Sequence, residues 1–138
     1  MRLAWLFVSV LAAGCSPALG HFASGGGILG KWKTNADYCV SSVTTTEQGT
    51  TTVVTFGHRS GGALAFQLSA AEAGGKVTSV AVERADPSRH LDLDPTRCTR
   101  FDVRQRPSNG RFGADVDLDC AAPDGTRVTA SLHAAECD

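Results

Sequence analysis

Two runs of alternating carboxylates, Asp92-Leu93-Asp94 and Asp115-Val116-Asp117-Leu118-Asp119, are the densest acidic clusters in the sequence. Carboxylate clusters are what Ca²⁺ requires. Alternation instead spreads these side chains along the solvent face of strands, where cross-strand arginines can meet them. The four histidines, His21, His58, His90 and His133, stand in no recognised ligand spacing and read as surface residues. His58-Arg59-Ser60-Gly61-Gly62 reads as a loop closing a strand, not as a catalytic Ser/His pair. No nucleophile elbow, phosphate loop or dinucleotide fingerprint occurs. The sequence therefore assigns no catalytic residue, no metal ligand and no cofactor.

Five cysteines are present, an odd number that would leave one thiol without a partner in an oxidising compartment. Cys15 falls in the N-terminal export segment, which leaves Cys39, Cys98, Cys120 and Cys137 as two pairs. Their spacing is too wide for a C-x-x-C redox motif. Asn109-Gly110, between two alternating runs, is a strong hairpin signal because both central residues must accept positive φ. Placing Ser108 opposite Arg111 sets Arg100 opposite Asp119, Arg104 opposite Asp115 and Asp102 opposite Asp117. That last pair repels unless diagonal arginines or a cation compensate. The same register brings Cys98 and Cys120 within one residue of facing, so a small bulge lets them bond. Among the three possible pairings the sequence favours Cys98 with Cys120 and Cys39 with Cys137, the second tying the first strand to the last.

Arg2 followed by the apolar run Leu3 to Ala13 has the charge and length of an export signal, and is shorter than a membrane span. It ends in Leu11-Ala12-Ala13-Gly14-Cys15. This resembles the lipobox of bacterial lipoproteins, with Ala12 at the position where many have leucine. The resemblance covers the signal alone, and implies cleavage before Cys15, acylation of Cys15 with palmitate-type chains, and anchoring to a membrane. Ser16 after the cysteine resembles the outer-membrane-directed class. The alternative is ordinary cleavage after Gly20, where Ala18-Leu19-Gly20 supplies small residues, giving a soluble periplasmic or secreted protein. The domains expected are a signal peptide over 1–14, a lipidated cysteine with a flexible glycine-rich tether over 15–31, and a β domain over 32–138.

Those chemical groups must be positioned by strands. From Tyr38 onward, β-branched and alternating segments separated by turn residues predict an all-β fold, a small antiparallel β-sandwich of about seven or eight disulfide-stabilised strands. The strands predicted are 38–46, 50–57, 63–69, 76–84, 90–93, 98–106, 111–120 and 127–134. Ser69-Ala-Ala-Glu72 has capping-box spacing and predicts one helical turn before Gly74-Gly75. Leu64, Phe66, Leu68, Val80, Val82, Leu91, Leu93, Phe101 and Val103 are the expected core. Trp32, between two lysines, is expected to cover one end of it. Threonines at 44–46 and 50–52 form a hairpin whose composition follows from β propensity, and which could also be a polar adhesive surface.

Beyond the first twenty residues the chain carries twelve basic and fourteen acidic side chains, a formal charge of −2. That balance excludes a basic nucleic-acid binder. Ten arginines against three lysines, with abundant alanine and glycine, resemble proteins of high-GC bacteria. The sequence reading is a noncatalytic, lipid-anchored envelope component with a protein partner, in binding or in the assembly of secretion, adhesion or motility machinery. The competing readings are a secreted ligand-binding protein or inhibitor, and a small hydrolase with a scattered site.

Overall fold

A computed structural model describes residues 19–60, 63–84, 86–108 and 110–138. The signal segment, Cys15 and Asn109 lie outside the described residues. Ten strands form two antiparallel sheets. The first sheet contains β1 (Gly20–Gly25), β2 (Trp32–Asn35), β8 (Cys98–Ser108), β9 (Arg111–Ala121) and β10 (Arg127–Ala134), in the order β2-β1-β10-β9-β8. The second is a meander of β3 (Tyr38–Thr46), β4 (Gly49–Ser60), β5 (Ala63–Ala73), β6 (Lys76–Arg84) and β7 (Asp86–Asp92). A 3-10 turn, Pro95–Arg97, leads back from β7 to β8.

Every second residue of the inner strands faces the opposing sheet, as the strand period of two requires. Val54, Phe56, Phe66, Leu68, Val80 and Val82 of one sheet meet Phe22, Val116, Leu118, Val128, Ala130 and Leu132 of the other, all buried. Leu91, Leu93 and Phe101 are half-buried at the margin. The side chain of Leu64 lies outside the described residues. Phe22 stacks on Phe66 with ring centroids 4.2 Å apart, and Trp32 meets Phe66 edge-on at 5.6 Å. Trp32 thus closes one end of the core, and Arg84 lies over its indole at 4.8 Å while donating to the Leu29 carbonyl.

Both expected disulfides are present, Cys98 with Cys120 and Cys39 with Cys137. The β8–β9 register pairs Ser108 with Arg111 and shifts between Cys98 and Arg100, so the bulge that lets Cys98 face Cys120 is there. Cys39–Cys137 fastens β3 of one sheet to the segment after β10 of the other. Gln105 makes a second brace, its Nε2 donating to the Thr52 and Ala70 carbonyls across the sandwich.

Three expectations are corrected. The flexible tether over 15–31 is not flexible to its end: β1 pairs with β10 from Gly20↔Leu132 to Gly25↔Arg127, and Phe22 and Leu29 are fully buried. Small residues hid this strand, but its backbone ladder and two apolar anchors hold it. Gly27 has φ +65°, and a Cβ there would fall on Thr126. The close approach lets the Ile28 N–H donate to Asp124 and to Thr126. With β1 and β2 added, the strand count among the described residues is ten rather than seven or eight.

The helical turn at Ser69–Glu72 is also absent, because β5 continues through it to Ala73. Ladder partners on both sides satisfy that backbone, and the Ser69 hydroxyl shares a hydrogen bond with Thr55 instead of capping. What the local pattern signals is a bulge between Ala71 and Glu72.

Candidate functional site: the Leu19 end and the outer polar face

Leu19 is the first of the described residues, and its backbone is tied into the fold. Its N–H donates to Ala36 O at 3.2 Å and its carbonyl accepts from His133 N at 2.7 Å, while the Gly20 carbonyl accepts from Ala36 N at 3.0 Å. These three bonds lie immediately before β3 and beside the end of β10. The chain is therefore tied from Leu19 onward to β10 of the first sheet and to the connection that leads from β2 into β3.

The outer face of the first sheet carries the expected acidic run, and its charges are neutralised by neighbours. The register sets Asp102 opposite Asp117, and arginines adjoining them compensate: Arg100 Nη1 lies 3.3 Å from Asp117, and Arg104 Nε 3.2 Å from Asp102. Arg100 and Arg104 face Asp119 and Asp115 in register but pair elsewhere. Asp115 is bonded by His133 and by Arg106, and Asp119 by Arg127 in a two-pronged contact at 2.9 and 3.1 Å. Arg127 accordingly holds the Asp119 carboxyl below its ordinary range. Such exposed pairs add little to stability, because solvent screens them and long side chains must be ordered to make them. Among the described residues no group of three His, Cys, Asp or Glu side chains is arranged to hold a metal. The acidic run is the solvated lattice that its alternation implied.

One row across this face gathers groups that could do chemistry: Asp102, Asp117, Ser131, His21 and Asn35 lie side by side on β8, β9, β10, β1 and β2. Asp117, Ser131 and His21 border a shallow depression with Arg100 and Thr129. A hydrolytic relay needs histidine between the carboxylate and the serine, so that one imidazole nitrogen takes the hydroxyl proton while the other is held by the acid. Here serine stands between them, and no hydrogen bond joins Ser131 to His21.

Elsewhere His58 Nδ1 lies 3.2 Å from Asp37, and His90 is held on both sides by Glu83 and Asp92, each at 2.9 Å. The hydrogen bond that His90 donates to Glu83, then the one it donates to Asp92, raises the His90 pKa above its ordinary value of about 6.5. A raised folded pKa stabilises fully below the unfolded value, and the contribution fades as pH rises through the folded one. The midpoint of thermal unfolding is therefore expected to fall slightly as pH rises above about 6.5. His90→Ala is expected to flatten that slope. A slope unchanged by the substitution would remove His90 from the account.

The fold defines a small, disulfide-tied antiparallel β-sandwich with a polar outer face and an N-terminal segment fixed at Leu19. No protein-family model, curated protein or solved structure matches the chain. Sequence reasoning anticipated the acidic run and the cysteine pairs. It missed the anchoring role of Leu19, because Leu-Gly-His-Phe inside a small-residue stretch carries no strand signal without the partner β10.

Proposed function

We propose that the chain is a lipid-anchored component of a bacterial cell envelope, held through acylated Cys15 and acting in binding or assembly rather than in catalysis. The sequence before Cys15 supplies the signal. The observation that favours this reading over a soluble protein cleaved after Gly20 is that Leu19 and Gly20 belong to the folded sheet.

Cleavage after Gly20 would remove the three backbone hydrogen bonds that these residues make with Ala36 and His133. At roughly 0.5–1.5 kcal/mol each, a chain beginning at His21 is expected to be about 1.5–4.5 kcal/mol less stable than one beginning at Ser16. Urea midpoints of the two chains measure the difference, and equal midpoints would remove the structural preference. Cleavage before Cys15 keeps the whole sheet. Two disulfides also suit the oxidising side of an envelope.

Four peptide steps separate Cys15 from Leu19, so this linker reaches about 14 Å at full extension. The domain would ride close to the headgroups, with the beginning of β3 and the end of β10 nearest the anchor. Two or three acyl chains hold such a protein stably where one would not.

Fractionation tests the proposal. The protein is expected in the outer-membrane fraction, and Cys15→Ser is expected to release it to the soluble fraction. An unchanged distribution would contradict lipid anchoring.

A further inference from the structure

The four edge strands of the two sheets are guarded unequally. Edge strands expose unpaired N–H and C=O groups, and proteins commonly protect them with charge, proline, bulges or short length. In this chain β2 has four residues and contains Lys33, β8 carries three arginines, Pro107 and a bulge, and β7 contains Pro87, Arg89, His90 and two aspartates. The remaining edge, β3, runs nine residues through Tyr-Cys-Val-Ser-Ser-Val-Thr-Thr-Thr with no charge and no proline.

Part of that edge is already covered by Asp138. Asp138 N donates to Cys39 O at 3.2 Å, and Ser41 N donates to Asp138 O at 2.6 Å. These bonds identify the odd-numbered residues of β3 as those whose backbone points outward, since the ladder to β4 uses the alternate ones. Val43 and Thr45 continue the same outward row beyond Asp138. The Val43 side chain is 54% exposed and Val40 43%, two of the three large apolar side chains exposed to this degree among the described residues.

We propose that the β3 edge from Ser42 to Thr46 is a strand-addition site for an extended segment of a partner protein, uncharged and β-branched at its centre with a basic residue at each end. The backbone bonds of Val43 and Thr45 would supply attachment, and alternate side chains the selectivity. The cations are called for by Glu47, exposed at one end of the open stretch, and by Asp138 at the other, whose side chain stays 89% exposed although Arg111 Nη1 lies 3.4 Å from one of its oxygens. The same acids disfavour a second copy of this chain. An antiparallel pairing of two β3 edges that uses Val43 and Thr45 of both brings Glu47 of one copy towards Asp138 of the other, and like charges so placed repel.

The proposal names the partner class for the assembly role above and rests on that role. Its test does not depend on the anchor. The oxidised protein carrying Cys15→Ser is titrated at low salt with a capped peptide Lys-Val-Thr-Val-Thr-Val-Lys and with the same peptide ended by glutamates, while amide shifts are followed by NMR.

Shifts centred on residues 42–46 are expected, with slowed hydrogen exchange at Val43 and Thr45. Binding of the lysine-ended peptide is expected to be about tenfold tighter, a preference that salt screens. Thr45→Pro removes one outward donor without touching the ladder to β4, and is expected to weaken binding about tenfold. Val43→Lys, which places a guarding charge on the edge, is expected to weaken it as well. Shifts centred on another edge, equal binding of the two peptides, or no binding at millimolar concentration would each overturn the proposal. So would concentration-dependent self-association that protects Val43 and Thr45, which would make a second copy the occupant.

Discussion

Replacing Cys39 and Cys137 together by alanine is expected to lower the unfolding free energy by about 4.7 kcal/mol, the loop-closure entropy for residues 98 apart. The same relation gives about 3.4 kcal/mol for Cys98 and Cys120, which are 22 apart. The difference in sequence separation corresponds to a difference in structural role. Cys98–Cys120 joins neighbouring strands that already share a ladder, whereas Cys39–Cys137 joins the two sheets. Losing the latter also loosens the backbone bonds of Asp138 with Cys39 and Ser41. Urea unfolding of the two double variants checks the order. A larger loss from the Cys98/Cys120 pair would show that chain entropy does not govern these bridges.

Phe66→Ala is expected to cost about 3–5 kcal/mol, the range for emptying an aromatic site in a closed core. Phe66 is fully buried in β5, stacks on Phe22 of β1 and meets Trp32 of β2. One ring therefore joins the middle of the second sheet to the margin of the first. The collapse needed to fill its space would have to move β1, which is held by its ladder with β10. Near-UV circular dichroism should lose the tryptophan signal in step with stability. Val43→Ala, at an exposed position, serves as the control and is expected to cost no more than about 0.5 kcal/mol. A Phe66 variant within about 1 kcal/mol of the parent would mean that β1 packs independently of the core.

Much of this architecture is legible because alternation and turn chemistry are local. The bounds 38–46, 76–84 and 127–134 read from the sequence are those of β3, β6 and β10, and the Asn109-Gly110 register predicts the facing residues of β8 and β9 through to the cysteine bulge. Longer strands were cut short where small residues end the alternation, as at Ala70 to Ala73 in β5. There the neighbours on both sides supply the ladder that propensity does not.

The first two strands were illegible for the same reason. Gly20 to Gly25 offers one large apolar side chain, Phe22, and reads as a tether until β10 is seen to pair with it. Edge status cannot be read at all from one segment. The threonine-rich hairpin was visible as composition, but only the strand order shows that its first strand has an open side. The run Leu11 to Cys15 stands at the opposite extreme, a resemblance to a lipobox that rests on the sequence alone and owes nothing to the β domain.

The most direct test of the central claim is intact mass spectrometry of the protein purified from its native envelope, beside the Cys15→Ser variant. The account predicts a mature chain beginning at Cys15 and carrying two or three acyl chains, with no acylated species from the variant. An unacylated chain beginning at His21 would contradict it.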